Sequence, residues 1–323
     1  MIVPEVNQEN FRKALHSADA ALENGKFDHV MLGVRQFGKD TFAALDRNLN
    51  DASEIRERQL MVFSVTKAIT GTAIARMVDQ KILDWSDPIC RYLPEMKDSG
   101  VLETIKIEDV FLHRTGLKAE GLEINNYKDL IKNALIYEPG SSCGYATITY
   151  QLINAVMRVI FGNLTMEEVL QKWIFEPCSM KSTSFVPVDF STTIDCHFKD
   201  EAKLREFVTH EYSGSGLWST MDDLLNFAEA VITPERLMSK GAFNTMTEAV
   251  PLLSTDKKYM VRTRGWNKEL NFNYQPQRGF YHGGAAGTLI WCDPDFNLVV
   301  VFMANRYSGG NDDAFRAIGT FYV

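Results

Sequence analysis

From residue 7 to 24, Phe11, Leu15, Ala18 and Leu22 recur at helical spacing and Gly25 follows as a stop, which predicts a helix with one apolar face. The period then changes. "HVMLGVRQ" and "DTFAALDRN" read as two strands joined through Phe37-Gly38-Lys39, a hairpin signal. "QLMVF" leads into a helix that opens near Ser64, in which Val65, Ala68, Ile69, Ala73, Met77 and Val78 make a broad apolar surface. A helix this apolar on most sides is expected to be central and buried.

Between about Leu83 and Glu235 helical patterns dominate, in "IEDVFLHR", "YKDLIKNAL", "TYQLINAVMRVIF", "MEEVLQKWIF" and "MDDLLNFAEAVI", with Pro- and Gly-bearing loops between them. Strand character returns in "RGFYHGG", "TLIWC" and "NLVVVFMAN", the last two flanking the turn "DPDFN", and "DDAFRAIGTF" closes as a short helix. This order predicts an α+β fold. One antiparallel sheet is built from N- and C-terminal strands and flanked by helices, with an all-helical subdomain inserted. The implied division is 1–82 with 236–323 for the sheet part and 83–235 for the helical part. A cleft between the two is the natural place for a site.

The 323 residues are 45% hydrophobic and 24% charged, enough to bury an ample core. The net charge of -8 argues against a nucleic-acid partner, because no basic excess is available to neutralise phosphates. The five cysteines (Cys90, Cys143, Cys178, Cys196, Cys292) are scattered, and the six histidines form no HxxxH or HxH cluster. Reduced thiols and no metal are expected, with Cys143 a small buried hydrophobe. "MIVPEVNQEN" lacks the basic start and apolar run of a signal peptide, and no run of 18 apolar residues occurs. The expectation is a cytoplasmic chain without a membrane span.

Ser64 and Lys67, three apart, fall on the same face of one helical turn. At a helix start the serine hydroxyl meets unsatisfied N–H groups and the positive end of the dipole. A buried lysine there is pushed towards its neutral form and can take the hydroxyl proton, giving an activated nucleophile. Taken alone, the tetrapeptide reads more readily as a helix cap followed by a surface lysine. The setting of Ser64 between Phe63 and Val65, at a strand-to-helix junction, is an odd one for a solvated polar face.

Wider context changes the balance. "FSVTKAITGTAIARMVDQKILDWSDPICRYLPE", "VFLHRTGL", "EPGSSCGYATITYQLIN", "SGSGLWSTMDDLLNFAEA" and "FYHGGAAGTLIWCDPDFNLVVVFMANR" follow one another across most of residues 58–306. In this order they resemble the motif blocks of the serine β-lactamase and penicillin-binding-protein superfamily, and within it the class C β-lactamase-like branch. That branch includes β-lactamases, D-alanyl-D-alanine carboxypeptidases, D-amino-acid peptidases and amidases, carboxylesterases and acyltransferases. The resemblance implies a sheet packed by helices plus an all-helical region, which agrees with the pattern reading.

The resemblance also implies roles. Ser64 is the acylated nucleophile, Lys67 its immediate proton acceptor or relay, and Tyr145 the second general acid/base. The backbone N–H groups of Ser64 and Ala285 form the oxyanion hole, where Gly283 and Gly284 let substrate approach the strand. His282 stands on the strand that walls the site, in the place where many relatives carry the lysine of K-T-G. His113 reads as a side chain pinning a loop; Trp218 and Tyr281 read equally as cleft lining or core. No cofactor is implied, and the partner is a small ester, amide or β-lactam-like molecule.

Two departures bear on substrate. The family's Y-x-N is Tyr145-Ala146-Thr147 here, and a threonine hydroxyl is shorter than an amide and differs in geometry. His282 in place of lysine removes a permanent cation at neutral pH. Both point towards a carboxylesterase or a D-peptidase or amidase, and away from a resistance β-lactamase. A β-lactamase or carboxypeptidase, an acyltransferase, and a non-catalytic binding protein on this fold are the alternatives.

Overall fold

The computed structural model describes residues 6–46, 53–118, 127–132, 134–162, 164–268, 279–307 and 309–322. Of the segments named above, Met1 to Glu5, Arg47-Asn48, Asn133 and Arg278 lie outside them. The N-terminal helix α1 spans Gln8–Glu23, and the Asn7 side chain caps it by accepting from the N–H groups of Glu9 and Asn10. Strands β1 (His29–Gln36) and β2 (Lys39–Asp46) form the expected hairpin. Phe37 (φ 49°) and Gly38 (φ 75°) both adopt the left-handed conformation that a two-residue hairpin turn requires.

The remaining strands are β3 (Leu60–Met61), β4 (Trp218–Ser219), β5 (Val250–Leu253), β6 (Tyr259–Arg262), β7 (Phe280–Gly283), β8 (Leu289–Asp293) and β9 (Leu298–Ala304). The main sheet is antiparallel, with order β2-β1-β9-β8-β7, so strands from the two ends of the chain meet where β1 pairs with β9. All seven residues of β9 are buried. Leu298, Val300, Phe302 and Ala304 pack under α1 and the C-terminal helix Asp312–Gly319, while Val299, Val301 and Met303 face the opposite layer. The unbroken apolar run "LVVVFMA" thus marks a strand covered on both faces, and each large side chain contributes about 1.5–3 kcal/mol of burial.

On the second face lie the helix Met221–Ile232 and helix α2 (Val65–Asp79). Every residue of α2 from Val65 to Ala75 is buried, as its all-round apolar pattern predicts. Its polar members are anchored individually. Thr66 Oγ1 accepts from the Leu217 N–H, Thr70 Oγ1 donates to the Ser213 carbonyl, and Thr72 Oγ1 accepts from Trp266 Nε1. Gly71 lets the helix press against the backbone of Gly265, where an added Cβ would come within 3.0 Å of Gly265 Cα.

Some elements differ from the pattern reading. "QLMVF" supplies only the two-residue β3, which pairs with β4, because Phe63 (φ 44°) turns the chain out of extended geometry. The helical middle is more broken than its periodicity suggests: "IEDVFLHR" yields only Ile107–Phe111, and Tyr127–Leu130 is a single turn. The helix Lys240–Thr247 and the β5–β6 pair carry too few periodic residues to stand out in the sequence. All five cysteines are free thiols. Among the described residues no helix is long and apolar enough to cross a membrane.

Candidate active site

Ser64 sits at the junction of β3 and α2, with helical backbone angles (φ -65°, ψ -10°) and no side-chain capping bond. Its hydroxyl is therefore not spent on the helix end. The preceding Phe63 is held in its left-handed conformation by ring contacts with Phe198 (5.6 Å between centroids) and Tyr307 (5.3 Å). Such a strained, buried residue persists only when its surroundings over-determine it.

Lys67 is fully buried and is no surface lysine. Its Nζ donates to Ser64 Oγ (3.0 Å), Thr147 Oγ1 (3.2 Å) and the Gly214 carbonyl (2.6 Å). The Tyr145 hydroxyl donates to the same Ser64 oxygen at 2.8 Å. Lysine and tyrosine thus converge on one hydroxyl from two directions, and Lys67 Nζ also lies 5.1 Å and 5.2 Å from the ring centres of Tyr145 and Tyr150. Gly214 is required for this close approach: a Cβ there would crowd Tyr150 Cβ and the Thr147 side chain at 3.0–3.2 Å.

Electrostatics favour mobile protons at this triangle. Burial pushes the Lys67 ammonium below its ordinary value, with Arg262 adding to the effect, while Tyr145 opposes it. For Tyr145 burial acts upward. The Lys67 charge, the side-chain hydrogen bonds shared with Ser64 and Lys67, and Arg262 outweigh it and bring the phenol below its ordinary value. Tyr145 is half exposed, so its ring is open to solvent while its hydroxyl stays on Ser64.

Tyr145 stands on a loop clamped by His113. The His113 carbonyl accepts the Gly144 N–H (2.9 Å), its Nδ1 accepts the Ala146 N–H (3.3 Å), and its ring lies 4.3 Å from that of Tyr145. Burial, followed by Arg262, Lys67 and His282, holds His113 well below the ordinary imidazole range, which keeps that acceptor nitrogen unprotonated. Cys143 is buried and directs its Sγ at the Leu112 carbonyl.

The opposite wall is β7. Tyr281 packs on Trp291 and Phe315 in the layer under α1, so strand alternation turns His282 to the other face. His282 is buried, and its Nδ1 donates to the Gly283 carbonyl at 2.9 Å. Burial, with Lys67 and Arg262 adding to it, pushes this imidazole down to about 3, so it is neutral at physiological pH. Gly284 passes so close to the Val62 carbonyl that an added Cβ would fall inside 3.0 Å of it. This contact brings the chain entering Ala285 beside the chain entering Ser64. Trp218 packs edge-on against Phe190 and is buried core.

Two participants are absent from the sequence reading. The Gly214 carbonyl lies within "SGSGL", a segment noted there only as a motif block. Arg262, at the end of β6, sets its guanidinium 5.3 Å from the centre of the Tyr145 ring; a lone arginine in "YMVR" carries no local signal.

A model of the family described as "Beta-lactamase" matches residues 54–321. The chain belongs to the beta-lactamase family. A curated relative, "Esterase/beta-lactamase LipL" of Mycobacterium tuberculosis, is 24% identical over 301 residues, covering 76% of this chain and 69% of its own. Among solved structures, "EstCE1, a hydrolase with promiscuous acyltransferase activity" has a TM-score of 0.79 at 18% identity, covering 98% of this chain and 99% of its own. A class C beta-lactamase from Rhodobacter sphaeroides has a TM-score of 0.74 at 18% identity, covering 96% and 98%. At such identities the structural likeness establishes the fold, and it is the fold that the pattern of strands and helices predicts.

Proposed function

We propose that this protein is a serine hydrolase that works through an acyl-enzyme on Ser64, acting on esters or amides of the carboxylesterase or D-peptidase/amidase kind. The observation that carries the reading is the triangle in which Lys67 Nζ and the Tyr145 hydroxyl both reach Ser64 Oγ, at 3.0 and 2.8 Å. Once Lys67 or Tyr145 has released its own proton to water, which the lowered pKa of each favours, it takes the proton of Ser64 as Oγ attacks the carbonyl carbon. The N–H groups of Ser64 and Ala285 face the oxyanion. Tyr145 then delivers a proton to the departing oxygen or nitrogen, and the acyl group remains on Ser64. A water molecule, deprotonated through Tyr145, attacks the acyl-enzyme and releases the acid.

The substrate class is supported by Thr147, whose hydroxyl takes the Lys67 hydrogen bond in place of an amide, and by a neutral His282. A second reading, transfer of the acyl group to an alcohol, differs only in the acceptor. It is favoured by the half-exposed Tyr145, beside which an alcohol can take the place of water.

Intact-mass analysis after a fluorophosphonate probe tests the reading. One adduct is expected on the parent protein, none on Ser64→Ala, and slower labelling of Tyr145→Phe. A folded parent that takes no adduct would sink it. A short-chain nitrophenyl ester and a chromogenic cephalosporin, run in parallel, sort the subclass; faster turnover of the cephalosporin overturns the ester/amide assignment.

A further inference from the structure

The helix Gln151–Phe161 turns its two faces to different surroundings. Leu152, Ile153 and Val156 enter the core. Gln151, Asn154, Ala155, Arg158 and Val159, which share the other face, line a cavity of about 460 Å³, room enough for a small organic molecule. None of Ser64, Lys67, Tyr145 and His282 borders it, and the exposed Val159 marks its opening to solvent. Lys128 and His210 also line it, and among the described residues no carboxylate does. Glu95 engages Lys128 at 2.9 Å, whereas Arg158 has neither an ion pair nor a side-chain hydrogen bond among the described residues. In a chain of net charge -8, a cavity bordered by a guanidinium, an ammonium and an imidazole concentrates anions.

Two side chains that border the cavity also hold the partners of Lys67. Asn154 Nδ2 donates to the Glu211 carbonyl at 2.9 Å, and its Oδ1 accepts from the Ser213 N–H (3.2 Å) and hydroxyl. The next residue, Gly214, gives its carbonyl to Lys67 Nζ. The Tyr212 hydroxyl donates to the Thr147 carbonyl, and the Thr147 hydroxyl accepts from Lys67. The side-chain amide of Asn154 is one rigid plane. An anion that draws its Nδ2 outward therefore also draws Oδ1 off Ser213, and shifts the Gly214 carbonyl from Lys67.

We propose that this cavity is a second ligand site, for a small organic anion with a ring or short apolar body, and that its occupancy slows the chemistry at Ser64. Arg158 takes the charge, as a planar fork of donors suited to a carboxylate or phosphate, and Leu93, Tyr127 and Val159 supply apolar walls for the body. The site and its ligand class stand on the cavity itself; only the effect on turnover rests on the hydrolase reading above.

Phenyl phosphate is the probe, phenol its uncharged counterpart, and isothermal titration calorimetry at low salt reads the binding. Phenyl phosphate is expected to bind the parent with a Kd of about 1 mM or below, and phenol at least about tenfold more weakly, the size of one charge-assisted contact. Arg158→Gln, an exposed substitution whose fold circular dichroism confirms, weakens phenyl phosphate about tenfold. Ser64→Ala binds it as the parent does, because the cavity lies outside the catalytic triangle. With 4-nitrophenyl acetate, saturating phenyl phosphate lowers the kcat of the parent about fivefold with little change in KM, and the same concentration acts less on Arg158→Gln. A parent that does not bind, equal binding by Arg158→Gln, or inhibition that raises KM at constant kcat overturns the site. Binding that leaves kcat unchanged overturns its coupling to Ser64. A folded parent that binds phenyl phosphate but cleaves no ester and takes no fluorophosphonate overturns the hydrolase reading and upholds the site.

Discussion

Replacing Gly284 with alanine would place a methyl carbon within 3.0 Å of the Val62 carbonyl oxygen and 3.2 Å from its carbon, closer than real Cβ atoms come to backbone. Neither partner is a side chain, so no rotamer relieves the clash, and one of the two chains must retreat. Val62 lies two residues before Ser64, and Gly284 one before Ala285. The retreat therefore separates the two N–H groups proposed to hold the oxyanion. Loss of one such donor costs roughly 10²–10³ in kcat, and a displacement of about 1 Å costs on the order of 10². We expect kcat for 4-nitrophenyl acetate to fall about 10²-fold, with a much smaller change in KM, because the oxyanion exists only along the reaction path. Gly283→Ala is the comparison. Its Cβ would meet the side-chain amide of Asn311, which can swing aside, so it is expected to lose far less. Steady-state hydrolysis gives kcat and KM, and a thermal melt confirms the fold. A Gly284→Ala protein that melts with the parent and keeps its kcat would refute the assignment of this contact to the oxyanion site.

Lys67→Met keeps the packing volume but removes the group that serves Ser64, Thr147 and Gly214, and kcat is expected to fall by about 10²–10⁴, the usual contribution of a general base; an unchanged acylation rate with the fluorophosphonate would exclude Lys67 as proton acceptor. Stability should decline in acid through the buried neutral imidazoles, since His282 titrates near 3 when folded and close to 6.5 when unfolded, and His113 is lowered in the same direction. The unfolded chain then binds the extra protons as pH drops from about 6.5 towards 3, and each histidine removes up to about 1.4 kcal/mol of unfolding free energy per pH unit. Urea titrations at pH 7 and pH 5 should show a smaller loss for His282→Gln than for the parent, and equal losses would contradict this account.

Much of this protein is legible in one dimension because its signals are periodic or local. The alternation and continuity of "LVVVFMA" mark β9, the all-round apolar surface of residues 65–78 marks α2 as central, and Phe37-Gly38 marks the hairpin. A chain that must bury one face or two has little freedom in how it spaces its apolar residues. The ordered motif blocks likewise point to Ser64, Lys67 and Tyr145, and the structure brings these three within hydrogen-bond reach. The sequence cannot say that Ser64 forgoes its helix cap, since that depends on Phe63 being locked by Phe198 and Tyr307 from distant segments. Nor does it disclose the Gly214 carbonyl or Arg262, which act through contacts between residues far apart in the chain. The residues themselves determined the strands of the main sheet, the helices α1 and α2, and which side chains are candidates for the chemistry. Tertiary structure alone decided which groups surround the serine and how burial shifts them, because desolvation and pairing are properties of a residue's surroundings and not of its place in the chain.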